Sequence, residues 1–421
     1  MKEKVVDLKY AKLHLIKTNK FRSINFKVLL KEEIKKEDIT KRNLLTDFLV
    51  LSTKKYKTRK ELALKIQDLY SLYLSSFNTR IGNYLVTRFN LSILNPKYTE
   101  NSMLEESLEL LHEVLFEPNV KNKEFDKEIF KVVKNDLEKE IISSCENPRV
   151  YANLAMLSHL GNGAYSYKGY GYLEDLEKIT EKNLYEYYKD FLYKSCVDIY
   201  VIGEFDEKEM ISLIKEKIDF KTIKKSKGEL IIYHDKIKMR PSIFIEDSNF
   251  NQSKLSIGCK LKDLTEFERK YVINMYNMIL GGGFNSKFMQ EIREKNSLAY
   301  YINSNVNKAD NLLIISSGIS KENFDKVISR VKMIMKSIRD GKITDEELEQ
   351  AKTEYLSILE ETCDNIDSIV ENEIARDLLN LDNLEVRKEE IKKVTIEDII
   401  NVSKKVHLDT IYLLKGDNNG A

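Results

Sequence analysis

The most chemically suggestive stretch is Gly281-Gly282-Gly283-Phe284-Asn285-Ser286-Lys287. A loop that cradles phosphate needs the spacing GxxxxGK[ST] directly after a strand. Here Tyr271 to Leu280 reads as a helix, so the match is weak. The glycines suit a helix C-terminus followed by a new helix. They also suit a backbone kept bare, with N–H groups free to lie beside a bound chain. A second stretch mixes Tyr165, Tyr167, Tyr170 and Tyr172 with Gly161, Gly163, Gly169 and Gly171. Tyrosine supplies contact area at low entropic cost, so this segment is either a partner surface or domain packing. The histidines, His14, His112, His159, His234 and His407, are scattered, and no two are spaced to share a helix face as zinc ligands. Cys145, Cys196, Cys259 and Cys363 include no CxxC pair, which removes zinc-ribbon and dithiol redox motifs. Free thiols in a reducing, cytoplasmic setting are expected.

The elements that must position these residues are set by a chain of 421 residues, too long for one compact core. A 42% hydrophobic content supports sizeable cores. With 69 basic and 68 acidic residues the net charge is +1, which gives no electrostatic case for nucleic acid or an anionic membrane. No window is long and uncharged enough to span a bilayer. The segment Met1 to Tyr10 has no apolar run of the kind that marks a signal peptide.

An internal duplication organises the rest. A helix ending near Leu72 leads into the hairpin Tyr73–Asn78 and Leu85–Ile93; one opening at Phe288 leads into Tyr300–Asn305 and Leu312–Ile319. The apolar stripe Leu104, Leu108, Leu111, Leu115 is matched by Val327, Val331, Ile334, Ile338. Long charged helices open at Phe125 and at Asp345. Cys145-Glu146-Asn147 pairs with Cys363-Asp364-Asn365, and Ile179-Thr180 with Val394-Thr395. The strand-like runs Val197–Gly203 and Asp409–Gly416 close the two halves. Residues 221–240 are Lys-rich at their start and lack periodicity, so they form a linker between domains 1–220 and 241–421. Hairpins among irregularly alternating helices predict an α+β fold, each domain a mixed, mostly antiparallel sheet with helices on one face.

The text from Leu280 to Tyr301 resembles the second-domain signature of the M16 family, which includes insulinase, pitrilysin and the mitochondrial processing peptidase. The resemblance covers most of the chain, including the duplicated halves and Ser52-Thr53-Lys54-Lys55-Tyr56. It implies the two-domain LuxS/MPP-like metallohydrolase fold. It also implies that Arg293 and Tyr300, seven residues apart, hold carbonyls of a peptide substrate. Guanidinium and phenol donors suit that role. Without the resemblance they are an Arg on a helix surface and a Tyr on a strand.

The family's inverted HxxEH places two imidazoles and a general base on one helix. The corresponding text here is Asn43-Leu44-Leu45-Thr46-Asp47, which has lost both imidazoles and the base. In the region of the family's third ligand, Glu124 to Glu140, the favoured register gives Asn135. A lone Asp47 cannot hold catalytic zinc. No catalytic residue, bound metal or cofactor is therefore expected, and Asn43, Thr46 and Asp47 are degenerate metal positions. The resemblance implies a non-catalytic subunit of the short bacterial type. Such a chain binds peptide or protein through Arg293, Tyr300, Gly281, Gly282, Gly283, Asn285 and Ser286. A zinc-bearing sister subunit in a heterodimer, or a second copy in a homodimer, completes the assembly. The alternatives are an active zinc peptidase with atypical ligands and a purely structural scaffold.

Overall fold

A computed structural model describes residues 3–100, 102–220 and 236–416. The strand-like run 230–233, His234 and most of the expected linker lie outside them. The chain forms two compact units, one of residues 1–143 and 168–229, the other of 144–167 and 230–421.

The first unit carries β1 (Glu3–Asp7), β2 (Ala11–Lys17), β3 (Ser23–Glu33), β4 (Tyr73–Ile81), β5 (Tyr84–Leu94), a two-residue pair β6 (Val120–Lys121) and β7 (Glu124–Phe125), and β8 (Cys196–Gly203). Its main sheet has the order β1-β2-β8-β3-β5-β4, with β2 and β8 parallel and every other pair antiparallel. Alternation is visible along β3, where Phe26, Val28 and Leu30 enter the apolar core while Asn25, Lys27 and Lys31 fall between them. That core is shared with helices α1 (Lys36–Leu49), α2 (Arg59–Asp68), α3 (Met103–Phe116), α4 (Lys127–Glu146) and α7 (Glu181–Lys194).

The second unit carries β9 (Ser242–Asp247), β10 (Ser253–Leu261), β11 (Ala299–Asn307), β12 (Leu312–Ile319) and β13 (Val406–Lys415). Its sheet order is β11-β12-β10-β13-β9, with β9 parallel to β13. Read in reverse, this is the order β2-β8-β3-β5-β4 of the first sheet, parallel pair included. The duplicated text thus folds into duplicated topology. The caps repeat too. Thr180 and Thr395 each form a capping box, over α7 and over α14 (Ile396–Ser403). Asn147 caps α5 (Pro148–Leu160), and Asn365 caps α12 (Ile366–Leu379).

Two features depart from the simple expectation. Residues 144–167 precede the linker yet pack with the second unit. They bring α5 onto β10 and β13, so the second sheet is covered on both faces rather than one. The reason is legible along β10. Leu255, Ile257 and Cys259 enter the main core, while Ser256 and Gly258 face α5. A Cβ on Gly258 would stand 2.3 Å from Leu160 Cδ1 and 2.6 Å from Met156 Sδ, so the close approach of α5 depends on its absence.

Candidate functional site

The segment expected to be a degenerate metal position, Asn43 to Asp47, lies on α1. Its residues are engaged with one another and with neighbouring elements of the first unit. Asn43 Nδ2 donates to the Gly169 carbonyl at 2.9 Å. Asn78 Nδ2, on β4, donates to Asn43 Oδ1 at 3.0 Å and to Thr46 Oγ1 at 3.0 Å. Thr46 Oγ1 turns its own proton back to the Arg42 and Asn43 carbonyls at 3.0 Å. Asn78 Oδ1 accepts from Thr87 Oγ1 at 2.6 Å, and Thr87 accepts from Arg42 Nη1 at 3.1 Å. Arg42 is fully buried, pairs with Glu32, and lies 4.1 Å from the Phe191 ring centroid. The oxygens of Asn43 and Thr46 are therefore spent on fixed donors, and an amide and a hydroxyl are poor zinc ligands to begin with.

Asp47 is the only ionisable residue at these three positions. Burial pushes its carboxyl up to about 7, with Glu140 and Asp136 of α4 adding repulsion. Beside the expected third-ligand position, Asn135, the residues of α4 that act on Asp47 are Asp136 and Glu140. They stand four apart on one helical face, which Asn135 does not share.

The described histidines are occupied in separate settings. His14 Nδ1 lies 2.6 Å from Glu3 and the ring stacks on Tyr200. His112 Nδ1 lies 2.7 Å from the Lys217 carbonyl. His159 stacks on Phe244, and burial lowers the pKa of His407. The Tyr/Gly segment is largely packing: Tyr165 and Tyr172 are buried, and Lys36 lies over the Tyr172 ring.

In the second unit, helical turns spanning Glu268–Val272, α9 (Ile273–Asn277) and Met278–Gly282 lead to the glycine-rich loop. No strand precedes the loop, so the phosphate-cradle geometry is missing and the helix-to-helix reading holds. The helix closes with a wide turn, Gly283 N–H donating to the Met278 carbonyl at 3.0 Å. Gly281, Gly283 and Ser286 are buried, whereas Gly282, Phe284 and Asn285 are exposed. A Cβ on Gly281 would meet the Phe288 ring at 2.5 Å and Ser304 Oγ at 2.8 Å, so this glycine seats the loop against β11. Phe284 N–H donates to Glu354 Oε1 at 2.9 Å, and Lys287 pairs with Glu347. Both carboxylates lie on α11 (Asp345–Glu361), which thereby anchors the loop at each end.

Helical turns at Met289–Glu294 then carry Arg293, and a turn at Ser297, in left-handed conformation, starts β11 with Tyr300 on it. Arg293 is exposed, with Nη1 3.4 Å from Met289 Sδ. Tyr300 is 61% exposed, with its hydroxyl 3.4 Å from Ser320 Oγ. Among the described residues neither donor is tied to a carboxylate. Sequence reasoning missed the partner that closes the α1 network, Asn78, because nothing local marks a strand asparagine as facing a helix far from it in sequence.

Residues 178–355 match the family described as the peptidase M16 inactive domain. Over that stretch the chain is similar to M16 peptidases. It is 29% identical over 408 residues to the probable inactive metalloprotease YmfF of Bacillus subtilis (strain 168), covering 96% of this chain and 95% of that one. The crystal structure of a conserved protein from Enterococcus faecalis V583 superposes with a TM-score of 0.90, at 27% identity and 100% coverage of both chains. The peptidase M16 inactive domain from Pseudomonas fluorescens shares the fold, with a TM-score of 0.79 at 17% identity over 99% of each chain. In this chain Asn43 and Thr46 belong to a hydrogen-bond lattice, while Arg293 and Tyr300 of the second unit are open to solvent.

Proposed function

We propose that this chain is a non-catalytic M16 subunit that binds peptide or protein and complements a zinc-bearing sister subunit in a heterodimeric peptidase. The observation that carries the reading is the contrast within one chain. The oxygens of Asn43 and Thr46 are spent on fixed donors, whereas Arg293 and Tyr300 project donors into solvent. Arg293 and Tyr300 hold substrate carbonyls; Gly282 and Asn285 offer backbone to the same peptide, and Gly281, Gly283 and Ser286 shape the loop that presents them. Water activation and substrate positioning can be supplied by different chains, provided the assembled geometry holds. The protein acts in the cytoplasm.

The test is reconstitution with a homologue that retains HxxEH, encoded beside this gene or in the same genome. The pair should cleave peptide and the isolated chain should not. Arg293→Ala and Tyr300→Phe should each lower kcat/KM of the pair, on the order of tenfold for loss of one positioning hydrogen bond. Unchanged activity in both variants would leave the chain a scaffold. Stoichiometric zinc and chelator-sensitive cleavage by the lone chain would make it an atypical peptidase.

A further inference from the structure

Tyr300 has a neighbour whose surroundings are unusual. Tyr301 pairs with Gly318 across β11 and β12, and its ring lies against that glycine. A Cβ on Gly318 would stand 2.6 Å from Tyr301 Cε1 and 2.9 Å from Gln252 Oε1, so no larger residue leaves the ring this seat. Two cations stand over the ring: the Arg149 guanidinium is 5.4 Å from its centroid and the Lys254 ammonium 5.5 Å. Lys254 also donates to the Gln252 side-chain oxygen, and burial together with Arg149 lowers its pKa. Among the described residues neither cation has a carboxylate partner. By contrast Lys260, Lys270, Lys287, Lys352 and Lys405 of this second unit each have one. Arg149 reaches the platform only because residues 144–167 pack with the second unit.

Two positive charges held against each other and an aromatic face, with no anion between them, complement a carboxylate. Side chains of an extended peptide alternate in direction, so a chain held by its carbonyls at Arg293 and Tyr300 sends every second side chain toward the Tyr301 face. We propose that Arg149, Lys254 and Tyr301 form a subsite for an acidic side chain, which makes the ligands of this subunit peptides with a glutamate or aspartate close to the segment held by Arg293 and Tyr300. The proposal rests on the peptide-binding reading above.

The test uses the full-length chain and fluorescein-labelled Ala/Ser peptides that differ only in a central Glu-Glu or Gln-Gln pair, with binding read by anisotropy. At low salt the Glu peptide should bind about fivefold tighter, the size expected of partly exposed ion pairs. High salt should erode that preference. The double variant Arg149→Gln/Lys254→Met, with its fold checked by circular dichroism, should bind both peptides equally and keep the parent's affinity for the Gln peptide. Arg293→Ala should weaken both peptides alike. Equal affinity of the two peptides for the parent chain, or a Glu preference that survives in the double variant, overturns the acidic subsite and leaves peptide binding standing. Failure of every peptide to bind overturns both readings.

Discussion

At the scale of single residues, the informative groups are those whose charge is out of balance with their surroundings. Burial and the carboxylates of α4 raise Asp47 from 3.8 to about 7. Between those values the folded chain holds a proton that the unfolded chain releases, so stability falls as pH rises through that window. Asp47→Asn should therefore be more stable than the parent at pH above 7, by roughly 2 kcal/mol, and the gain should vanish near pH 4. Urea midpoints at the two ends of the window check this. His14 shifts stability with pH in the same direction, but through a charge that the fold favours rather than one it disfavours. Burial acts to lower its pKa, but Asp198 and Glu3 outweigh that and hold it above the ordinary value. Its contribution is present while the imidazole is charged and is lost as pH rises through the raised pKa. His14→Gln should accordingly cost more stability in mild acid than in mild base, measured by thermal melts across that range.

At the scale of elements, the duplication makes matched predictions possible. Thr395→Ala removes the capping box of α14 and Thr180→Ala that of α7, and each should cost about 1 kcal/mol. Equal losses would show that the two copies use the cap in the same way. Gly258 is specific to the second copy's outer face. Gly258→Val would press side-chain atoms into Met156 and Leu160 and should destabilise by roughly 1–3 kcal/mol, read from denaturant midpoints. The hairpins, the apolar stripes of α3 and of α10 (Phe324–Arg339), and the matched positions of Thr180 and Thr395 were legible in the sequence. Each is a local pattern with a fixed period or a fixed offset. The course of α5 was not, because its apolar residues Ala152, Met156 and Leu160 would serve any apolar surface equally well.

At the scale of the molecule, that helix has a consequence for how the chain can be divided. A fragment of residues 241–421 carries the whole second sheet but lacks α5, leaving Tyr412 and Leu414 without their cover. Such a fragment should bind a hydrophobic dye such as ANS and melt without a sharp transition. Adding a synthetic peptide of residues 144–167 should restore a cooperative melt. A fragment that folds well on its own would show that α5 contributes little to the second unit.

The sequence by itself determined the family likeness and the duplicated α+β plan, since side-chain type and spacing are enough for each. Only the tertiary structure decided what Asn43 and Thr46 bond to. Asn78 on β4 reaches Asn43 and Thr46 on α1, an encounter of residues more than thirty positions apart that no local period encodes. The same holds for Arg149 and Lys254 meeting over Tyr301. Hydrogen bonds and charges act through space over a few ångströms, so which of them form depends on how the sheets and helices pack rather than on their order along the chain.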